Sequence, residues 1–242
     1  MPAILHLLTR ALAAQKSVFA HVVMGNTAAH TVSSWTNDIE LASKAGIDAF
    51  VLNMGHGDGN IPPQVANAFQ AAEKFDNFDL FFAFDYLGGG SPWPAGEVAS
   101  YLNQYKNSKS YCKVDGKLMV STFEGVGNTQ DWTYGGPIRS AVGDAIHFVP
   151  DWSSLGPNGI KAHLDKIEGA FSWDMWPEGP NDKDIGSDAA WQEALGSKDY
   201  MMGVSPWFFR SAQGGKNWVW KGDDLWTYRW AQTIKVAPRF VQ

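Results

Sequence analysis

The sequence has a single cysteine, Cys112, among 242 residues. An intrachain disulfide is therefore excluded, and cysteine usage says nothing in favour of an oxidising compartment. Charge is also sparse. Asp, Glu, Lys and Arg make up 18% of the chain, against the ~25% usual for globular domains. The net charge is −6, and a general nucleic-acid binder needs a basic patch that this balance does not supply. No run of ~18 apolar residues is present, so no segment reads as a membrane span. The histidines form no H-x-x-x-H pair and none neighbours the cysteine, so the sequence indicates no metal site. There is no G-x-S-x-G and no phosphate-binding P-loop, which leaves serine-based hydrolysis and nucleotide chemistry without support. No Ser/Pro-rich linker, low-complexity tract or charge run divides the chain.

What is abundant is tryptophan, with 12 residues. Surplus indole suits two classes of protein, those that stack sugars and those that form interfaces. Residues 1–15 stand apart as an apolar leader. They read either as a degenerate signal peptide or as an amphipathic helix at one end of a domain. From Lys16 to Gln242 the chain repeats one plan: a short apolar run, a Gly/Asn/Asp/Trp-rich loop, then a helical pattern. The runs are Val18–Val23, Ala49–Leu52, Leu80–Phe84, Leu118–Ser121, Ala145–Val149, Ala170–Trp173 and Met201–Val204. Such runs suit strands buried on both faces of a parallel sheet. Helices are predicted over 34–44, 63–75, 97–106, 158–166, 188–195 and 223–234, and the segment 129–142 is the least clear. Strand–loop–helix units of this kind predict an α/β fold, a (β/α)8 barrel of the ~250-residue type. Seven strands are clear. Pro238–Gln242 reads as the entry to an eighth that the chain cuts short, which predicts unpaired edges on the first and seventh strands and self-association through them.

In such barrels the chemistry sits at the carboxyl ends of the strands. That rule selects Asn53, Asp85-Tyr86, Glu124, Asp151-Trp152, Trp173-Asp174 with Trp176, and Trp207. Carboxylates and aromatic rings gathered at one mouth suit glycoside hydrolysis, in which one carboxyl protonates the leaving oxygen and another activates water or attacks carbon. The competing reading is that individual acids cap helices or fix loops. Within the chain, Glu124 and Asp174 form the best candidate pair, two strands apart across the mouth. Asn53, Asp85, Tyr86, Asp151, Trp152, Trp173, Trp176 and Trp207 are candidate sugar-binding positions. His21 and His147 read as satisfied core histidines, and Asp223-Asp224 as a helix N-cap. His56-Gly-Asp58-Gly-Asn60 reads as a glycine-rich turn rather than a calcium loop.

The strand ends also resemble a known family. Val18-Phe-Ala-His21 with Met24-Gly-Asn-Thr27, Gly46-Ile-Asp-Ala-Phe50, Ser121-Thr-Phe-Glu-Gly125, Phe148-Val-Pro-Asp-Trp152, Gly169-Ala-Phe-Ser-Trp-Asp174, Val204-Ser-Pro-Trp-Phe208 and Gly222-Asp-Asp-Leu-Trp226 are similar to segments of glycoside hydrolase family 71, the fungal α-1,3-glucanases or mutanases. The resemblance implies a catalytic (β/α)8 barrel, secretion to the cell exterior, α-1,3-glucan as substrate, and inverting hydrolysis by carboxylates. It implies no cofactor, and the net charge and the lack of a long apolar run already speak against nucleic-acid and membrane partners. It also implies that the family's best candidate acids lie in an eighth-strand segment reading W-N-D-Y-G-E, which would follow Gln242. On that ground the resemblance leaves two outcomes open, a hydrolase using acids within the chain or a glucan-binding chain without hydrolysis.

Overall fold

The computed structural model describes residues 16–143, 145–177, 179–205, 208–209, 217–218, 221 and 223–242. The leader 1–15 lies outside them. Eight parallel barrel strands are found among the described residues: β1 (Ser17–Val23), β2 (Ala49–Gly55), β3 (Asp79–Asp85), β4 (Lys117–Phe123), β5 (Ile146–Phe148), β6 (Gly169–Phe171), β7 (Asp199–Met202) and β8 (Phe240–Val241). Helices follow the strands: α1 (Val32–Lys44), α2 (Ile61–Ala72), α3 (Ala95–Tyr105), α4 (Pro137–Val142), α5 (Gly156–Ile160), α6 (Gly186–Leu195) and α7 (Asp223–Val236). The segment that gave the weakest helical signal forms a 3-10 stretch over Val126–Trp132 and the short α4.

Local sequence explains the regular parts. The central strands are apolar on both faces because both faces are covered, and every residue of β2 from Ala49 to Met54 is buried. Helix α1 starts where the Thr31 hydroxyl accepts from the Ser34 N–H at 3.1 Å, while the Ser34 hydroxyl accepts from the Thr31 N–H. Its Trp35, Ile39 and Ala42 recur at helical spacing and are the buried ones. Trp35 satisfies its indole N–H on Gln64 of α2 at 2.9 Å, which locks the first two helices together.

The ring closes, and here the structure corrects the expectation of open edges. Phe240 and Val241 pair with Ser17 and Val18 of β1 on one side and with Met201 and Met202 of β7 on the other. Gln242 extends this by donating its N–H to Met202 at 2.9 Å and accepting from Val204 at 2.7 Å. Two residues suffice because Phe240 is buried between neighbours, its ring stacked 5.5 Å from Phe19. The other seam is closed by backbone hydrogen bonds from Glu168 to Phe148 and from Phe171 to Pro150, both 2.9 Å, and by Asp151. Asp151, just past β5, bridges Phe123 of β4 and Phe171 of β6. Pairing of β1 with β8 is confined to Ser17 and Val18, whereas its pairing with β2 runs on to Val23.

The amino-terminal end of the barrel is tied by charge. A hairpin turns at Asp115-Gly116, both at positive φ, and pairs Lys113-Val114 with Lys117-Leu118. Arg239, at the entry to β8, reaches both carboxylate oxygens of Asp115 at 2.9 Å and Asp199 at 2.9 Å. His147 of β5 lies 3.0 Å from the same Asp199. Arg139, fully buried, donates to the carbonyls of Trp132, Ile146 and Lys166 and to Glu168 at 2.8 Å. Of the two strand histidines, His21 has a polar partner, its Nδ1 lying 2.8 Å from the Gln242 side-chain nitrogen, whereas the buried His147 Nε2 makes no aligned hydrogen bond although Asp199 lies 3.0 Å away.

Candidate functional site at the barrel mouth

The carboxyl ends of the strands bring most of the predicted residues to one mouth, but they differ in what they can do there. Asp85, ending β3, spends its carboxylate on its own loop. Its Oδ1 accepts from the Leu87 N–H at 2.9 Å and from the Gly88 N–H at 2.5 Å. Asn53 is buried at the end of β2. Tyr86 is also buried, and its ring lies against Gly125, where a Cβ would come within 2.7 Å of it. Gly125 has φ +94°, so both the backbone and the close approach call for glycine. Burial pushes the Tyr86 hydroxyl above its ordinary range, so it stays protonated.

Trp152 corrects the sequence reading. It is completely buried between Phe148 and His163, so its faces belong to the core and not to a sugar. A partly buried aromatic wall comes instead from Trp173 and Trp176, their rings 6.0 Å apart and nearly perpendicular. Trp173 also packs edge-on against Phe123 at 5.0 Å and His21 at 5.1 Å. Burial lowers the His21 pKa to about 4, so this ring is neutral over the physiological range. A cavity of ≈ 410 Å³ lies beside β1 and the end of β8, lined by His21, Trp173, Trp176, Trp226 and Trp230 among others. Trp207 lies outside the described residues.

Two carboxyl groups remain partly open. Glu124 follows β4 with φ +52°, a left-handed conformation uncommon for a side chain of its kind. Its N–H donates to the Asp151 carbonyl at 2.7 Å, and its carboxylate accepts from the Ser154 N–H at 2.9 Å and the Ser154 hydroxyl at 2.5 Å. Asp174 follows β6 and is paired with Lys183 at 2.6 Å. Partial burial acts to raise its pKa, but hydrogen bonds from Lys183 and Ser187 and the Lys183 charge outweigh that and hold it below the usual carboxylate range. It is therefore a carboxylate at neutral pH, a state fit for a base.

Asp151 is the exception. It is 1% exposed, and burial raises its pKa to about 7 against hydrogen bonds from Ser153. One oxygen accepts from the Ser153 N–H at 3.0 Å and from the Ser153 hydroxyl. Sequence reasoning selected Asp151 but missed Ser153, Ser154, Lys183 and His21 as groups that shape the mouth. The Ser153-Ser154 pair directly after Asp151-Trp152 was the available signal.

Comparison with known proteins bears on the family and the fold. The chain matches the Glycosyl hydrolase family 71 sequence model over residues 14–242. It is 33% identical over 241 residues to a glucan endo-1,3-alpha-glucosidase of Schizosaccharomyces pombe, a match covering 95% of this chain and 55% of that protein. It is 32% identical to a mutanase of Penicillium rubens, covering 94% of this chain and 50% of the relative. The chain thus spans about half the length of the curated relatives it matches. Among solved structures, a GH99 endo-alpha-mannosidase of Bacteroides thetaiotaomicron superposes with a TM-score of 0.69 at 12% identity, covering 93% of this chain and 81% of that one. At that identity the likeness speaks for the fold alone. The family match extends over nearly the whole chain, and the chain belongs to glycoside hydrolase family 71.

Proposed function

We propose that this family 71 chain takes α-1,3-glucan at the barrel mouth and hydrolyses its α-1,3-glucosidic bonds, acting outside the cell on wall glucan. The observation that carries the reading is the meeting of two partly open carboxyl groups, Glu124 and Asp174, with the Trp173–Trp176 wall at one end of the barrel. Sugar rings stack on indole faces, and glycoside hydrolysis needs an acid and a base flanking the bond. Asp174, held ionised by Lys183, suits the base, and Glu124 is the partner carboxyl. The relatives support the substrate, since their names specify endo-1,3-alpha-glucosidase and mutanase.

A second reading has its own support. Both carboxyls are already engaged, Glu124 by Ser154 and Asp174 by Lys183, which suits a mouth that holds glucan without cleaving it. Reducing-sugar release from insoluble α-1,3-glucan separates the two. Hydrolysis predicts release above buffer that falls by on the order of 100-fold in Glu124→Gln and in Asp174→Asn. Retention on the glucan without release favours the binding reading. Absence of both retention and release overturns the proposal.

A further inference from the structure

Asp151 stands apart from every other carboxyl at the mouth. β5 ends at Phe148, and Asp151 carries the seam beyond it, donating its N–H to Thr122 at 3.0 Å and accepting from the Glu124 N–H at 2.7 Å. Its Oδ1 holds Ser153, and the Ser153 hydroxyl in turn accepts the backbone N–H of Trp173 at 2.8 Å, which fixes the chain that carries the indole. The next residue, Ser154, holds both oxygens of Glu124. Two consecutive serines therefore join one buried carboxyl to the aromatic wall and to a second carboxyl. Asp151 Oδ2 is buried and meets no hydrogen-bond partner among the described residues. A buried carboxyl with one empty oxygen and no paired cation is far better accommodated neutral than charged.

We propose that Asp151 is the positioning residue of the mouth, setting the Trp173 wall and the Glu124 carboxyl through Ser153 and Ser154, and that its proton controls how firmly a glucan chain is held there. The last clause rests on the function proposed above. The first clause does not.

Neutral Asp151 places no charge beside Glu124. Once ionised, it puts a second negative charge next to Glu124 in a poorly solvated seam, and the repulsion works against the Ser154 grip. Burial raises its pKa to about 7, so the switch falls near neutrality, with the tighter mouth on the acid side. Two other titratable groups face the same residues. Asp174 beyond β6 is held ionised by Lys183, and His21 of β1, against Trp173, is held neutral down to about pH 4. His163 faces the Trp152 ring rather than Trp173.

The test uses the full chain as wild type, Asp151→Asn, Ser153→Ala and Trp173→Phe. Intrinsic fluorescence between pH 5 and pH 9 is expected to show a wild-type transition near pH 7 that is lost in Asp151→Asn and in Trp173→Phe. Affinity for a soluble α-1,3-gluco-oligosaccharide is expected to weaken by about tenfold across it, the equivalent of a one-unit pKa difference between free and bound protein. Asp151→Asn is expected to bind with no pH dependence, at the strength wild type shows on the acid side. A transition that survives in Asp151→Asn overturns the proposal. If Asp151→Asn does not fold, Ser153→Ala keeps the carboxyl and breaks its link to Trp173. An unchanged fluorescence transition in that variant overturns the proposal equally. If wild type binds no oligosaccharide at any pH while its fluorescence transition is present and Asp151-dependent, the glucan reading fails and the positioning role stands.

Discussion

The two ends of this barrel treat buried carboxyl groups in opposite ways. At the base, Glu168 and Asp199 are met by cations. Arg139 and Tyr134 hold Glu168, and His147 and Arg239 hold Asp199. Burial acts to raise both pKa values, and these partners overcome it and hold them below the usual carboxylate range. At the mouth, Asp151 is more deeply buried, has no cation facing its side chain, and burial pushes its pKa up to about 7. An acid paired with a cation is set as structure, because both its charge and its lone pairs are spoken for. An acid left with hydroxyl partners keeps its proton available, and such groups gather at sites that work. The base of the fold and the mouth are thus told apart by two things together, the deeper burial of Asp151 and the absence of a cation facing it.

Removing the cation from the base should show the contrast at its largest. Arg139→Met leaves Glu168 buried beside orphaned carbonyls, and a loss of about 3–5 kcal/mol in denaturant unfolding is expected. A loss under about 1 kcal/mol would mean that the Arg139 cluster contributes little, and the comparison would break. Arg239→Gln should cost less, about 1–3 kcal/mol, because Asp115 at the hairpin is largely exposed while Asp199 is not. The same variant should raise hydrogen exchange at Phe240 and Val241, since Arg239 tethers the entry to β8.

The last effect has the opposite sign and reports on the mouth. Burial pushes the Asp151 carboxyl in the folded protein from the ordinary range up to about 7. Its contribution to stability is full below the unfolded value and is lost as pH rises toward 7. Glu168 and Asp199, with lowered values, contribute above their unfolded values and lose that contribution as pH falls. His21, lowered to about 4, likewise disfavours the folded state as pH drops from 6.5 toward 4. Asp151→Asn should therefore match wild type near pH 4, exceed it in melting temperature at pH 8, and flatten the wild-type decline between. Equal melting temperatures at pH 8 would place Asp151 with the base carboxyls.

Much of the fold was legible as pattern. The both-face apolar runs located β1 to β7 to within a few residues, because period and burial are local consequences of a sheet covered on both sides. Helices α1, α2, α3, α6 and α7 followed from spacing for the same reason. The mouth was less legible. Trp152 and Trp173 look alike in sequence, each following a β strand beside an Asp, yet one is core and the other is wall. Asp85, Asp151 and Asp174 are equally alike, yet one fixes a turn, one holds a proton and one is ionised by a lysine nine residues on.

By itself the sequence determined the parallel α/β barrel, the strand ends that carry acids and indoles, and the family to which they belong, since periodicity and motif order are written along the chain. Tertiary structure decided that two residues close β8 onto both neighbours, which indoles are only partly buried, and which carboxyl meets a cation. Those outcomes depend on partners distant in sequence, Arg239 for Asp115 and Ser154 for Glu124 among them, and only the folded barrel brings such partners within hydrogen-bond reach.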